Sequence, residues 1–332
     1  MKAVLSRDAG DPETLVLAEL PEPVPGPKEV LVAVKACGIN FPDALLIQDK
    51  YQIRPPRPFA PGSEISGVVA QVGAGVVRFQ PGQHVIGRLG WGGLAERVAV
   101  PEDRCIAIDA EMPFEQAAAF IFTYGTAHYA LVDRGEVMPG ETVLVLGASG
   151  GVGIAAVQTA KALGARVIAA ASSAERLAVA LANGAERGVV YPRSLDNKDA
   201  ARALAAEFKE ACGATGADVV LDPVGGPYAE PALRAMARNG RYLVIGFTAG
   251  IPAIPLNLPL LKSCSVIGVD WGAFVRGDPA GAQTNAASAL ELYRAGKLSP
   301  LVSERFTLAE APSAIARLKS RTAIGKLVVM IG

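Results

Sequence analysis

The chain has 332 residues, 51% of them hydrophobic, enough for a large buried core and for two domains. Its 32 Lys plus Arg balance its 32 Asp plus Glu, which excludes the broad basic field of a general nucleic-acid or anionic-membrane binder. Cys37, Cys105, Cys212 and Cys264 lie far apart with no close pair, so neither a disulfide framework nor a structural zinc knuckle is expected.

The strand-like run "MKAVLS" begins almost at Met1, so no leader segment is expected, and a cytoplasmic location follows. Up to about residue 122, short alternating runs such as "EVLVAVKA", "ISGVVAQV", "HVIGRL" and "AERVAVP" are separated by the turn signals "GPKE", "VGAG" and "QPGQ". This region is expected to form a barrel-like β domain. From Glu141 onward, wholly apolar strands ("TVLVLGA", "ARVIAAA", "RGVVY", "ADVVLD", "RYLVIGF") alternate with alanine-rich helices ("GGVGIAAVQTAKAL", "SAERLAVALAN", "DAARALAAEFKEAC", "PYAEPALRAMAR"). Such strands are buried on both faces, which predicts a parallel sheet between helices, over residues 123–268. The uncharged run Tyr242 to Leu261 carries Pro252, Pro255 and Pro259, which forbid an uninterrupted membrane helix. Residues 269–332 return through "NAASALELYRAGKL" and a final β pair, "SERFTL" and "KLVVMI", to complete the first domain.

In "TVLVLGASGGVGIAAVQTAKALGA" a strand, a glycine turn and a helix follow one another, the context that a dinucleotide fingerprint requires. Ser149, Gly150, Gly151 and Val152 are the expected phosphate contacts, with Gly153 packing helix on strand and Ala148 standing at the usual first glycine. The second strand ends in Ala171, Ser172 and Ser173, followed by Arg176, with no carboxylate to meet the ribose hydroxyls of NAD. Ser172 and Arg176 suit a 2′-phosphate, which points to NADPH. The competing reading makes Ser172 and Glu175 a capping box, with Arg176 covering a helix face. Tyr191, closing the third strand, is placed near the adenosine; read alone it is a strand-end aromatic.

The ordered motifs "ACGINFPD", "PGSEISGVV", "VGAGVVRFQPGQHV", "GGLAERVAVP", "TYGTAHYAL", "ASGGVG" and "DPVGG" resemble the medium-chain dehydrogenase/reductase superfamily, in its zinc-free quinone oxidoreductase (zeta-crystallin-like) branch, along the whole chain. The resemblance implies an α/β protein, with a GroES-like β-barrel catalytic domain over residues 1–122 and a Rossmann doubly wound NADPH-binding domain over 123–268. Zinc-dependent members carry a cysteine ligand where this chain has Asn40 and a histidine ligand where it has Ser63. Cys37 alone cannot hold the ion, and His84 and His128 lie in separate segments, so no metal is expected.

Without a Lewis acid, quinones and α,β-unsaturated carbonyl compounds remain feasible acceptors of hydride from NADPH, because hydrogen bonds can stabilise the charge that spreads onto their oxygen. The resemblance implies Asn40 at the nicotinamide end of the cleft and Thr126 by the nicotinamide phosphate or ribose. It also implies Gly246 and Phe247 beside the nicotinamide, and Lys326 near the domain junction. Tyr51 is similar to a tyrosine that lines the substrate cleft; as a loop aromatic it would pack on neighbouring prolines instead. Leu45 replaces a second cleft tyrosine of some quinone reductases. Asp43 and Glu64 read as acids hydrogen-bonded to backbone or to an arginine, and Tyr124, Asp222 and Trp271 as scaffold. Reduction of an enoyl or acryloyl thioester is the alternative reaction, and binding of NADPH or RNA without turnover the alternative from another class. A homodimer is the oligomer that the resemblance implies, formed through the strand around "SVIGVDWG".

Overall fold

A computed structural model describes residues 1–195 and 197–332. They form two compact units, Met1–Phe122 with Pro300–Gly332, and Thr123–Ser299, so residues 269–299 associate with the second unit.

In the amino-terminal part, β1 (Lys2–Leu5) and β2 (Val16–Glu19) form a hairpin, and β3 (Glu29–Ile39) begins the main sheet. It is followed by β4 (Glu64–Val72), β5 (His84–Arg88), β6 (Arg97–Pro101) and β7 (Cys105–Ala107). Strand β3 bonds β4 and β6 along its length and buries Val30, Val32, Val34, Cys37 and Ile39 in one apolar cluster. Alternation faces Val30, Val32 and Val34 to one side, and the irregularity after Val34 shifts the phase so that Cys37 and Ile39 face it too. The register of β3 against β4 shifts between Val34 and Ala36, and the strand runs on to the helix Phe41–Leu46.

The second unit holds β8 (Thr142–Val145), β9 (Arg166–Ala171), β10 (Arg187–Val190), β11 (Ala217–Asp222), β12 (Met236–Val244) and β13 (Ser265–Gly268). They form one parallel sheet in the order β10-β9-β8-β11-β12-β13. This order reverses between β8 and β11, which opens a crevice at the carboxyl ends of the strands, where doubly wound folds bind their ligands. All four residues of β8 are buried, as continuous apolar strands require. Helix Lys198–Cys212 starts where the Asn197 side chain accepts from the Asp199 and Ala200 amides, and stops at Gly213 with φ +92°.

Two sequence expectations shift. The helix expected through "PYAEPALRAMAR" ends at Ala235, because Met236 already pairs with Ala217 of β11 and the ladder outweighs local helix preference. The helix expected to open at Asn285 begins at Pro279, where Asp278 caps the Gly281 amide. Within Tyr242 to Leu261 the chain leaves β12 and reaches only a short helix, Asn257–Lys262, and no helix among the described residues is long and apolar enough to cross a membrane. The chain then returns to the first unit through β14 (Val302–Thr307) and β15 (Lys326–Met330), which are parallel to each other and extend the sheet to β14-β15-β3-β4-β5-β7.

Candidate functional site

In the second unit the glycine turn after β8 leads into helix Gly151–Ala162 through bare backbone, an arrangement that can hold an anion. Gly147 takes φ +59°, and a Cβ on Gly153 would meet the Gly147 carbonyl oxygen at 2.1 Å, so helix and turn touch through bare backbone. Gly150 is the N-cap of helix Gly151–Ala162 and supplies no side-chain cap. The opening amides of that helix therefore face outward, with the positive end of its dipole behind them.

Arg176 leans over this turn, its Nη1 donating to Ser149 Oγ at 3.3 Å. Ser173 Oγ accepts from the Arg176 backbone amide and caps helix Ala174–Ala182, which fixes the backbone from which the Arg176 side chain extends. Ser173 is thus the cap, and the capping-box reading of Ser172 with Glu175 is corrected; Ser172 stays half-buried at the end of β9. Tyr191 is buried, its ring 4.8 Å from that of Tyr228, whose hydroxyl donates to the Pro192 carbonyl at 2.8 Å. Burial pushes the Tyr191 phenol up to about 12, against the pull of the Arg176 charge and of the Gly147 backbone. Ser149, Arg176 and Tyr191 therefore converge on one turn.

The adjoining loop is held by Asp222 at the end of β11. Its Oδ1 accepts from the Val224 and Gly225 amides at 2.7 and 2.8 Å, and its Oδ2 accepts from the Tyr242 hydroxyl at 2.5 Å. Burial raises the carboxyl from its ordinary value, while the three donors oppose that rise. Gly246 and Phe247 follow β12, Phe247 with an exposed ring, and Thr126 is buried on helix Ile121–His128. Tyr124 and Trp271 are buried scaffold, the first donating to Gln158 Oε1 at 2.8 Å and the second to Asn285 Oδ1 at 3.3 Å.

The first unit carries a buried polar cluster whose convergence follows from strand register. Gly38 pairs with Glu64 of β4, and Ile39 pairs with Leu327 of β15, so Glu64 and Lys326 flank Asn40 as it leaves β3. Lys326 Nζ donates to Asn40 Oδ1 at 2.6 Å, to the Ile39 carbonyl at 3.1 Å and to Glu64 Oε2 at 3.3 Å. Asn40 Nδ2 donates to Glu64 Oε2 at 3.1 Å and to the Gly38 carbonyl at 3.3 Å, and the Phe122 amide donates to Glu64 Oε1 at 2.9 Å. Lys326 and Asn40 are each 5% exposed and Glu64 is fully buried. Asp43 caps the Asn40 amide at 2.7 Å and accepts from Gly62 N, and burial raises its carboxyl to about 6 against these bonds.

Sequence reasoning named Asn40, Glu64 and Lys326 separately but missed their union; of its two partners for Asp43 and Glu64, backbone or an arginine, both acids have the backbone one, and the cation beside Glu64 is Lys326. Tyr51 is half-buried against the apolar cluster of this unit, and Leu45 is half-buried nearby in sequence. Cys37 is buried, and burial raises its thiol well above the ordinary range, which makes it inert. His84 packs on Phe114 at 4.7 Å, and His128 Nδ1 meets Asn285 Nδ2 at 3.1 Å. Among the described residues no group of three His, Cys, Asp or Glu side chains is placed to hold a metal ion.

Comparison with known proteins gives these units relatives. The "Alcohol dehydrogenase GroES-like domain" family model matches residues 26–110, and the "Zinc-binding dehydrogenase" model matches residues 151–288. Quinone oxidoreductase-like protein 2 of Bos taurus is 38% identical over 320 residues, covering 96% of this chain and 89% of that protein. Among solved structures, mycobacterial Rv1454c complexed with NADPH matches with TM-score 0.90 and 29% identity over 99% of both chains. Escherichia coli quinone oxidoreductase complexed with NADPH matches with TM-score 0.88 and 28% identity, over 99% of this chain and 100% of that one. The residues here do not fit the zinc that the second family description names. An ammonium, Lys326 Nζ, is bonded to both Asn40 and Glu64, so the polar atoms a cation would need already serve a fixed positive charge.

Proposed function

The chain belongs to the medium-chain dehydrogenase/reductase superfamily, in its quinone oxidoreductase-like branch, and on that premise we propose that it is an NADPH-dependent reductase of quinones or other α,β-unsaturated carbonyl compounds. The observation that carries the cofactor reading is Arg176, held over the glycine turn by Ser149 at the end of a strand that offers serines and no acid. A guanidinium there pairs with phosphate oxygens, whereas the absent carboxylate removes the partner that NADH would use. Relatives complexed with NADPH support the same choice.

The bound cofactor supplies hydride from its nicotinamide ring. In this reading Ser149, Gly150, Gly151 and Val152 bind the pyrophosphate through helix-terminal amides, Ser172 and Arg176 take the 2′-phosphate, and Tyr191 supports the adenosine side of the turn from beneath. Thr126, Gly246 and Phe247 orient the nicotinamide half, and Lys326 acts with Asn40. Asn40 and Tyr51 stand nearest the reacting atoms, with the Tyr51 hydroxyl as the donor toward the acceptor's oxygen. Placing the two reactants supplies much of the acceleration.

Calorimetric titration with NADPH and NADH, followed by NADPH oxidation with a panel of quinones and a panel of enoyl thioesters, tests the proposal. Tighter NADPH binding with quinone turnover is expected; turnover confined to enoyl thioesters moves the substrate assignment to the alternative, and none with either ends it. The reading includes a homodimer. Strand β13 is an open sheet edge with Val266 exposed, and Leu256, Leu260 and Leu261 just before it are 81%, 78% and 68% exposed, an apolar stretch that a second copy would cover.

A further inference from the structure

Two loops of the second unit leave the carboxyl ends of neighbouring strands, residues 223–226 after β11 and residues 245–250 after β12. The second loop bears Gly246 and Phe247, whose ring is exposed. One carboxylate reaches both loops. Asp222 is 2% exposed; its side chain holds the Val224 and Gly225 amides on Oδ1 and the Tyr242 hydroxyl on Oδ2. Its backbone carbonyl accepts from the Ile245 and Gly246 amides at 2.9 and 3.3 Å. Tyr242 is buried as well, and burial, then the Asp222 charge, raise its phenol well above the ordinary range, so it stays a donor.

The first loop, closed in this way, is fastened to the second. The Ala249 amide donates to the Val224 carbonyl at 2.7 Å, the Gly226 amide to the Gly250 carbonyl at 2.6 Å, and Thr248 Oγ1 to the Pro223 carbonyl at 3.2 Å. The approach is close enough to require glycine. A Cβ on Gly225 would lie 2.8 Å from the Gly250 carbonyl oxygen and 3.1 Å from Cδ1 of Phe247, and one on Gly226 would lie 2.5 Å from the Ala249 carbonyl oxygen. An edge of the Phe247 ring therefore rests on the backbone of Gly225, the residue whose amide Asp222 holds.

We infer that Asp222, with Tyr242 behind it, is a positioning residue for the nicotinamide half of the cofactor. It closes the first loop, and the first loop sets where Gly246 and Phe247 stand. Asp222 acts through loop backbone and not by contact with the cofactor. The Val224 and Gly225 positions are buried, so without an acceptor their amides would be left unpaired and the turn would reopen to satisfy them. This rests on the NADPH reading of the preceding subsection and deepens it, since the sequence marked Asp222 only as scaffold.

The test titrates two ligands by calorimetry, NADPH and 2′-phospho-ADP-ribose, which is the same molecule without its nicotinamide. Their affinity ratio measures what the nicotinamide half contributes, and the wild type should favour NADPH by about tenfold or more. Asp222→Ala opens the first loop and should lower this ratio about tenfold. Gly226→Ala leaves the Asp222 bonds in place but drives a methyl against Ala249, and its ratio should fall likewise. Asp222→Asn keeps an oxygen for the two amides and turns an NH2 group to Tyr242, so its ratio should stay within about threefold of the wild type. Should unpaired donors prevent Asp222→Ala from folding, Asp222→Ala with Tyr242→Phe removes the phenol donor, and Gly226→Ala, at a half-buried position, decides alone if that variant fails too. An unchanged ratio in Asp222→Ala or in Gly226→Ala overturns the inference. So does an equal loss of both ligands, which would make Asp222 a support of the whole unit. A fall in Asp222→Asn as large as in Asp222→Ala also overturns it, because the charge and not the closed turn would then matter. Failure of the wild type to bind NADPH defeats the cofactor reading itself, and equal binding of both ligands by the wild type defeats the role given to Gly246 and Phe247. The unsubstituted protein reveals either before any variant is made.

Discussion

Arg176 is the side chain on which the choice between the two nicotinamide cofactors turns. Replacing it with alanine removes a charge-assisted bond to phosphate but nothing that NADH needs, so the NADPH dissociation constant should rise about tenfold or more while that of NADH holds. Calorimetry checks this, and equal weakening of both would return Arg176 to the role of a helix-face cover. His128 is a second residue with a measurable signature. Burial lowers its pKa, against the weaker pull of Asp133, and the Asn285 amide donates to its Nδ1, which a protonated ring could not accept. Because the folded pKa lies below the unfolded one, the unfolded chain takes up the proton first. Stability is then full above the ordinary histidine value and declines as pH falls through about 6.5. Melting curves between neutral and mildly acidic pH should show that decline in the wild type and a flatter profile in His128→Gln.

At the scale of elements, the glycine turn and its helix act as one part. A methyl group on Gly153 would fall 2.1 Å from the Gly147 carbonyl oxygen, so turn and helix must separate in Gly153→Ala. That overpacking should cost about 1–3 kcal/mol of stability, with a larger loss in NADPH binding, because the displaced backbone is the proposed phosphate cradle. Chemical denaturation and calorimetry on the same variant measure the two effects. Local pattern predicted this element well, since strand, glycines and helix succeed one another within one stretch of chain. It failed at Met236, where pairing to β11 decides the conformation, and at Ser172, where the choice between adjacent serines as the cap depends on backbone geometry rather than residue type.

At the scale of the whole molecule, the remaining prediction concerns assembly. Leu260→Glu puts a charge in the exposed apolar stretch beside β13 without touching the buried core, so it should turn a sedimenting dimer into a monomer while leaving the melting temperature of the chain little changed. A wild type that sediments as a monomer would end the dimer reading. The sequence by itself determined the parallel sheet, the glycine turn and the missing acid at the end of β9, whereas the replacement of two zinc ligands is what its resemblance to a family implied. The first three are short patterns whose physics is local: period, turn chemistry and residue type. Only the tertiary structure decided that Lys326 and Glu64 meet on Asn40, across 286 and 24 positions of chain, and that the Tyr191 ring is buried beneath the turn. Those contacts depend on the register of three strands and on packing between distant segments, and neither leaves a trace in the order of neighbouring residues.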